Sequence, residues 1–168
     1  MKCPYCGQNN ISGLDECGSC HEDLSSLDGV VARTKIEKVL LSDRIKKLSP
    51  RAVITVSRNT NLYEAVQKMN AAKVGCVLVV DDQAIHGILT ERDVVHKALA
   101  MHRDLMKTAV GTVMTAQAEC LSEEDSLAYA VNRMAVGGYR HIPILKDGKP
   151  SGMISIRDVL KYLAKLFS

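Results

Sequence analysis

Gly87-Ile88-Leu89-Thr90-Glu91-Arg92-Asp93 recurs 65 residues further along as Gly152-Met153-Ile154-Ser155-Ile156-Arg157-Asp158. In each copy a glycine precedes two apolar residues, and a hydroxyl residue stands three places before an aspartate. That last spacing is a capping box. The Thr or Ser oxygen accepts from an early helix N–H, and the carboxylate sits in the positively polarised first turn. The stretch reads, twice, as a strand end running directly into a helix start.

Working outward, the 65-residue offset holds without a gap: Ser57 pairs with Ser122, Leu62 with Leu127, Ala65 with Ala130, Met69 with Met134, Asp82 with Asp147 and Val94 with Val159. Two copies of one unit are present. Each predicts a short strand (53–56 and 119–121), a helix (62–72 and 126–136), a hairpin (76–80 with 85–89, and 142–145 with 151–154) and a closing helix (92–100 and 157–166). The hairpin turns are Asp81-Asp82-Gln83 and Lys146-Asp147-Gly148-Lys149. The order β-α-β-β-α in each copy predicts an α+β fold, a small sheet with helices on one face. Neither unit encloses a full core alone, so the two are expected to pack as an intramolecular pair.

Upstream lie Cys3-Pro4-Tyr5-Cys6-Gly7 and Cys17-Gly18-Ser19-Cys20, two C-x-x-C knuckles separated by ten residues. Two residues between thiolates let both sulfurs reach one ion, and two knuckles close a tetrahedral four-thiolate shell, the geometry of structural zinc. A segment this short buries too little apolar surface to fold alone, so the metal supplies its folding energy. The segment resembles the zinc-ribbon, or rubredoxin-like, family. Iron is the alternative metal, since iron-binding rubredoxins carry the same Cys-Pro-x-Cys-Gly knuckle, although with wider separation. His21 abuts Cys20 and reads as a solvent-exposed residue rather than a ligand. A closed four-sulfur shell has no open position for catalysis. Residues 23–41 read as a polar linker and the start of an amphipathic helix that extends over 30–48 with a break near Ser42-Asp43. Its apolar stripe is expected to pack on the domain that follows. The expected boundaries are a ribbon at 1–22, the linker and leading helix at 23–41, and repeats at 42–101 and 107–168.

Composition limits the function. The 168 residues are 46% hydrophobic and 24% charged with a net charge of +3, a balance without the dense basic face of a dedicated nucleic-acid binder. No apolar run reaches the length of a membrane span. The chain opens directly into a cysteine motif, which argues against a secretory leader and for the reducing cytoplasm. Aromatics are 4% with no Trp, so ligand stacking rests on Tyr, aliphatic or Arg surfaces.

The quoted heptapeptides match the G-h-h-[ST]-x-x-D signature of CBS domains. Arg140-His141-Ile142-Pro143-Ile144 resembles the [RH]-[RH]-h-P-h strand of the same family. The resemblance covers residue 42 to the C-terminus. It implies a Bateman module, a CBS pair that binds AMP, ADP, ATP, NAD or S-adenosylmethionine in clefts shared between the repeats and commonly forms homodimers. On this resemblance one cleft joins Thr90, Arg92 and Asp93 to Tyr139, Arg140, His141 and Pro143. The other joins Ser155 and Asp158 to Val74, Gly75, Cys76 and Leu78. A carboxylate at a helix start suits the 2′- and 3′-hydroxyls of a ribose, and Arg140 suits a phosphate. Gly75 and Cys76 stand where the sister copy has Arg140 and His141, which puts phosphate binding there in doubt.

The expected function is therefore a non-catalytic, zinc-containing sensor of an adenine nucleotide that signals to a protein partner. A nucleic-acid-associated regulator acting through the ribbon is the alternative, disfavoured because the span from Cys3 to Cys20 holds Asp15 and Glu16 but no Lys or Arg. A ligand-free assembly element is a further alternative. No nucleophile–base pairing with motif context points to an enzyme.

Overall fold

The computed structural model describes residues 3, 5–11, 14–24, 34–82 and 84–167. Pro4, the larger part of the predicted linker (residues 25–33, with the first residues of the predicted leading helix) and Gln83 of the first hairpin turn lie outside the described residues.

The elements run α1 (Lys35–Ser42), a 3-10 turn (Ile45–Leu48), β1 (Thr55–Val56), α2 (Leu62–Ala72), β2 (Cys76–Asp81), β3 (Ala84–Thr90) and α3 (Glu91–Asp93). A π turn (Val94–Ala98) and a 3-10 turn (Leu99–Met101) continue α3. Then come β4 (Thr115–Ala116), β5 (Leu121–Ser122), α4 (Leu127–Gly137), β6 (His141–Lys146), β7 (Lys149–Ser155) and α5 (Ile156–Phe167). Each repeat thus has the predicted β-α-β-β-α order. Asn61 and Ser126 cap α2 and α4, each accepting from the N–H three residues on.

Two features differ from expectation. β4 is an added strand. It pairs antiparallel with β3, Gly87 opposite Ala116 and Ile88 opposite Thr115, and gives the first sheet the order β1-β2-β3-β4. A Cβ on Gly87 would collide with the Thr115 carbonyl, so the glycine is what lets β4 approach. The second sheet has the order β5-β6-β7, and Arg51 bridges antiparallel to Met153 on β7. The other difference is the closing helix of the first repeat, expected as one helix over 92–100. It holds a single α turn before widening, with the Leu99 N–H donating to Val94 and Val95. The wide turn keeps Val94 and Ala98 in the core, and Asp93 anchors its start.

The chain divides into two compact units: Met1–Pro50 with Leu121–Ile144 and Ile154–Ser168, and Arg51–Cys120 with Leu145–Met153. The second of these is built on Leu62, Met69, Val77, Val79, Leu89, Val110 and Val113. The first is built on Ile45, Leu121, Leu127, Ile142, Ile144 and Ile154. The leading segment is part of that first unit. Ile45 N donates to Asp125, and Leu127 N donates to the Asp43 carbonyl (both 2.9 Å). The predicted break is the C-cap of α1 at Asp43. Its carboxylate accepts from Tyr162 Oη (2.6 Å) and Lys47 Nζ (2.5 Å). Burial raises the Asp43 carboxyl, but these donors outweigh it and hold it below its ordinary value. The Tyr162 phenol is pushed up to about 12, chiefly by its bond to Asp43.

Candidate functional site

The four N-terminal cysteines converge. Their sulfurs all lie within 4.8 Å of one another, with Cys3–Cys20 at 3.7 Å and Cys6–Cys17 at 3.6 Å. Four sulfurs about 2.3 Å from one zinc stand about 3.8 Å apart, so the shell has the size of a tetrahedral thiolate site. The knuckles have one backbone design. Gly7 N donates to the Cys3 carbonyl and His21 N to the Cys17 carbonyl; Cys3 N donates to Gln8 and Cys17 N to Glu22. Gly7 and His21 both take the left-handed turn that this requires, with φ of 80° and 57°. His21 is exposed and bonds Glu16 (3.0 Å), as expected of a non-ligand. Burial raises the Cys17 thiol, but hydrogen bonds from the Cys20 and Ser19 backbone and from Asn10 outweigh it, leaving it at about 6. Burial raises the Cys6 and Cys20 thiols, so it is the charge of a bound cation that would make all four sulfurs thiolates.

The sequence did not reveal where the ribbon docks. The Tyr5 carbonyl accepts from both Ser126 N (3.2 Å) and Ser126 Oγ (2.7 Å), and Ser126 is fully buried at the start of α4. Tyr5 and Cys20 pack against the core of the second repeat, and Glu22 pairs with Arg133 on α4 at 3.4 Å.

The second constellation is the strand–helix junction, present once in each repeat. In the first, the Gly75 carbonyl accepts from Glu91 N (3.0 Å), and Cys76 faces Thr90 across β2 and β3. In the second, the aligned Arg140 carbonyl accepts from Ile156 N (3.0 Å). The helix start therefore lies against the entry of the preceding strand in both copies: Gly75 and Cys76 meet Glu91 and Thr90 in the first, and Arg140 meets Ile156 in the second. Tyr139 is held against Gly137, where a Cβ would overlap its ring. Arg140 and Arg92 are exposed, and Pro143 is buried within β6.

The first capping box forms as read, with Asp93 N donating to Thr90 Oγ1 (3.2 Å), and in both copies the aspartate accepts from the hydroxyl residue three places before it. Asp93 Oδ2 accepts from Thr90 N (3.0 Å) and Thr90 Oγ1 (2.6 Å). Asp158 Oδ2 accepts from Ser155 N (2.8 Å) and Ser155 Oγ (2.6 Å). Asp93 also takes Thr115 Oγ1 (3.0 Å) and Lys97 Nζ (2.6 Å) on Oδ1. Burial raises its carboxyl, but these bonds, Lys97's first among them, win and hold it below the usual carboxylate range. The i,i+4 spacing of Asp93 and Lys97 was the available sequence signal for that pair; Thr115 had none. The Cys76 thiol is pushed up to about 12, mainly by burial and then by the Glu91 charge.

The CBS domain family model matches residues 45–100 and 110–165. The chain is 30% identical over 150 residues to the Arabidopsis thaliana CBS domain-containing protein CBSX3, mitochondrial, covering 84% of this chain and 73% of that one. It spans only 21% of the longer Arabidopsis CBS domain-containing protein CBSCBSPB5. A solved CBS domain, NE2398, superposes with a TM-score of 0.69 at 30% identity, over 73% of this chain and 98% of that one. The CBS domain pair of MJ0100, solved with 5′-methylthioadenosine and S-adenosyl-L-methionine, shares the fold with a TM-score of 0.67 at 20% identity, over 74% and 98%. No described helix is long and apolar enough to cross a membrane.

Proposed function

The chain belongs to the CBS domain family, and on that premise we propose that it is a non-catalytic regulatory sensor that binds an adenosine-type ligand and reports its occupancy to a partner protein. The observation that carries this reading is the repeated junction: a carboxylate fixed at a helix start beside a strand entry, once at Asp93 and once at Asp158. Each carboxylate suits the vicinal hydroxyls of a ribose. Arg140 and His141 address phosphate. Thr90, Arg92, Tyr139, Pro143, Ser155, Val74, Gly75 and Cys76 complete the ligand-contacting set. The MJ0100 pair, with its two adenosyl ligands, supports the ligand class.

One zinc ion held by Cys3, Cys6, Cys17 and Cys20 completes the ribbon, whose role is to brace α4. Metal analysis should give about one zinc per chain; a red, iron-containing preparation would reject zinc. A homodimer is part of the reading, resting on the exposed Val95 and Leu160 of the closing helices, 50% and 59% exposed.

The test is calorimetric titration with AMP and adenosine. Arg140→Ala should weaken AMP by roughly 10- to 150-fold, the worth of a charge-assisted hydrogen bond, and adenosine far less. If the unmodified protein binds no adenosyl compound at millimolar concentration, the sensor reading fails and the chain is an assembly element.

A further inference from the structure

The two junctions differ in charge at two aligned positions. Position 140 is an exposed arginine; its aligned position 75 is glycine. Position 156 is isoleucine; its aligned position 91 is glutamate. The structure places that glutamate over the glycine. A Cβ added to Gly75 would lie 3.3 Å from Glu91 Oε2 and 3.4 Å from Glu91 Cδ, so the carboxylate fills the space that a side chain at position 75 would occupy. The backbone fixes this approach, because Glu91 N donates to the Gly75 carbonyl at 3.0 Å. Beside them Cys76, 5% exposed, supplies a small neutral wall, where the second repeat has His141. Of the nearby cations, Lys97 is committed to Asp93 at 2.6 Å. Lys73 is the exposed C-cap of α2, in the left-handed conformation.

We propose that Glu91 makes the first repeat's junction an anion-rejecting subsite, one that takes an adenosyl compound whose 5′ substituent is uncharged or cationic. The inference rests on the sensor reading above and names the ligand class at one of its two junctions. By the internal repeat, the ligand group that meets Arg140 in the second copy meets the Gly75–Glu91 pair in the first. Arg92 and its aligned Arg157 are common to both junctions, so the difference lies at the other two positions: a phosphate there would meet the Glu91 carboxylate without the arginine that position 140 supplies in the second copy, whereas a sulfonium or a thioether would meet a favourable or neutral surface. Glu91 is exposed, so water and salt screen the effect to a modest preference.

The experiment titrates AMP and S-adenosylmethionine into the Arg140→Ala protein, which removes the phosphate contact of the second repeat, and into the same background carrying Glu91→Gln. Glu91→Gln is isosteric and exposed, so the fold is retained. The Arg140→Ala protein should prefer S-adenosylmethionine. Glu91→Gln should reduce that preference by roughly 3- to 10-fold, mostly by gaining AMP affinity. Transplanting the second repeat's pair, Gly75→Arg with Glu91→Ile, should restore AMP binding in that background. An unchanged preference in Glu91→Gln overturns the inference while the sensor reading stands. So does AMP binding that is lost in Lys73→Ala. If the unmodified protein binds neither compound, both fall together.

Discussion

At Asp93 the first repeat loads one carboxylate from its own capping box, from a strand hydroxyl and from a lysine one turn along the helix. At Asp158 the second repeat builds the same capping box from Ser155, but the residue one turn along is Tyr162, and it turns away to Asp43. One signature therefore serves two different supports. The first repeat is braced by Lys97 on its own helix and by β4, a short strand from just beyond the repeat that lies on Gly87. The second is braced from outside the repeat, by the ribbon at Ser126 and by the leading segment at Asp43. The spacing shared by the two copies fixes the local turn; the residues one helical turn or one strand away decide how rigid it is and what charge it offers.

The largest effect expected from this difference follows metal removal. The ribbon should unfold outright, since among the described residues its core is Leu24 and the cysteines with Tyr5 packed against them. Its loss leaves the buried Ser126 N–H and hydroxyl without the Tyr5 carbonyl and exposes the face of α4 that Tyr5 and Cys20 cover. That costs about 2–3 kcal/mol locally, or roughly 30- to 150-fold in amide exchange. Exchange measured before and after chelation should show this loss over Leu127–Gly137 and little change over Leu62–Ala72. Equal loss in both helices would mean that the ribbon does not support one repeat selectively.

A smaller effect tests the inner brace. Gly87→Ala forces a methyl group against the Thr115 backbone, which must move and take Thr115 Oγ1 away from Asp93. A clash with backbone typically costs about 1–3 kcal/mol, which lowers the melting temperature by roughly 2–12 °C in a chain of this size. A shift below about 1 °C would show that β4 adjusts freely and contributes little to the first repeat.

Much of this was legible in the sequence because the relevant signals are local. The capping boxes, α2, both hairpins and the paired cysteine knuckles depend on residues a few positions apart, and an internal repeat doubles every such signal. What was not legible joins distant segments. Tyr5 meeting Ser126, and Asp43 meeting Tyr162, leave no periodicity behind. β4 is two residues long, too short for any alternation to show, and only the glycine it needs marks its place. The capping box of α1, Thr34 with Glu37, is a local Thr-x-x-Glu signal that starts the helix inside the 30–48 stretch whose apolar spacing alone reads as helical.

The smallest effect concerns the charge on the inner brace. Asp93 has a folded-state pKa below its ordinary value, so it contributes stability above the ordinary carboxylate value of about 4, and that contribution is lost as pH falls through the lower folded value. Lys97 supplies the largest of the favourable bonds. In Lys97→Met the folded pKa moves back up, because burial still opposes ionisation. The variant should therefore be less stable at pH 7, by roughly 0.5–1 kcal/mol once solvent screening of the 44% exposed lysine is allowed for. The deficit should shrink as pH falls through the folded value, below which the carboxyl is protonated in both states and Lys97 has no charge to meet. Denaturant titrations of the two proteins across that range report it directly. A deficit that stays constant with pH would assign the contribution of Lys97 to the packing of its alkyl stem, and the two helix starts would then differ in shape rather than in charge.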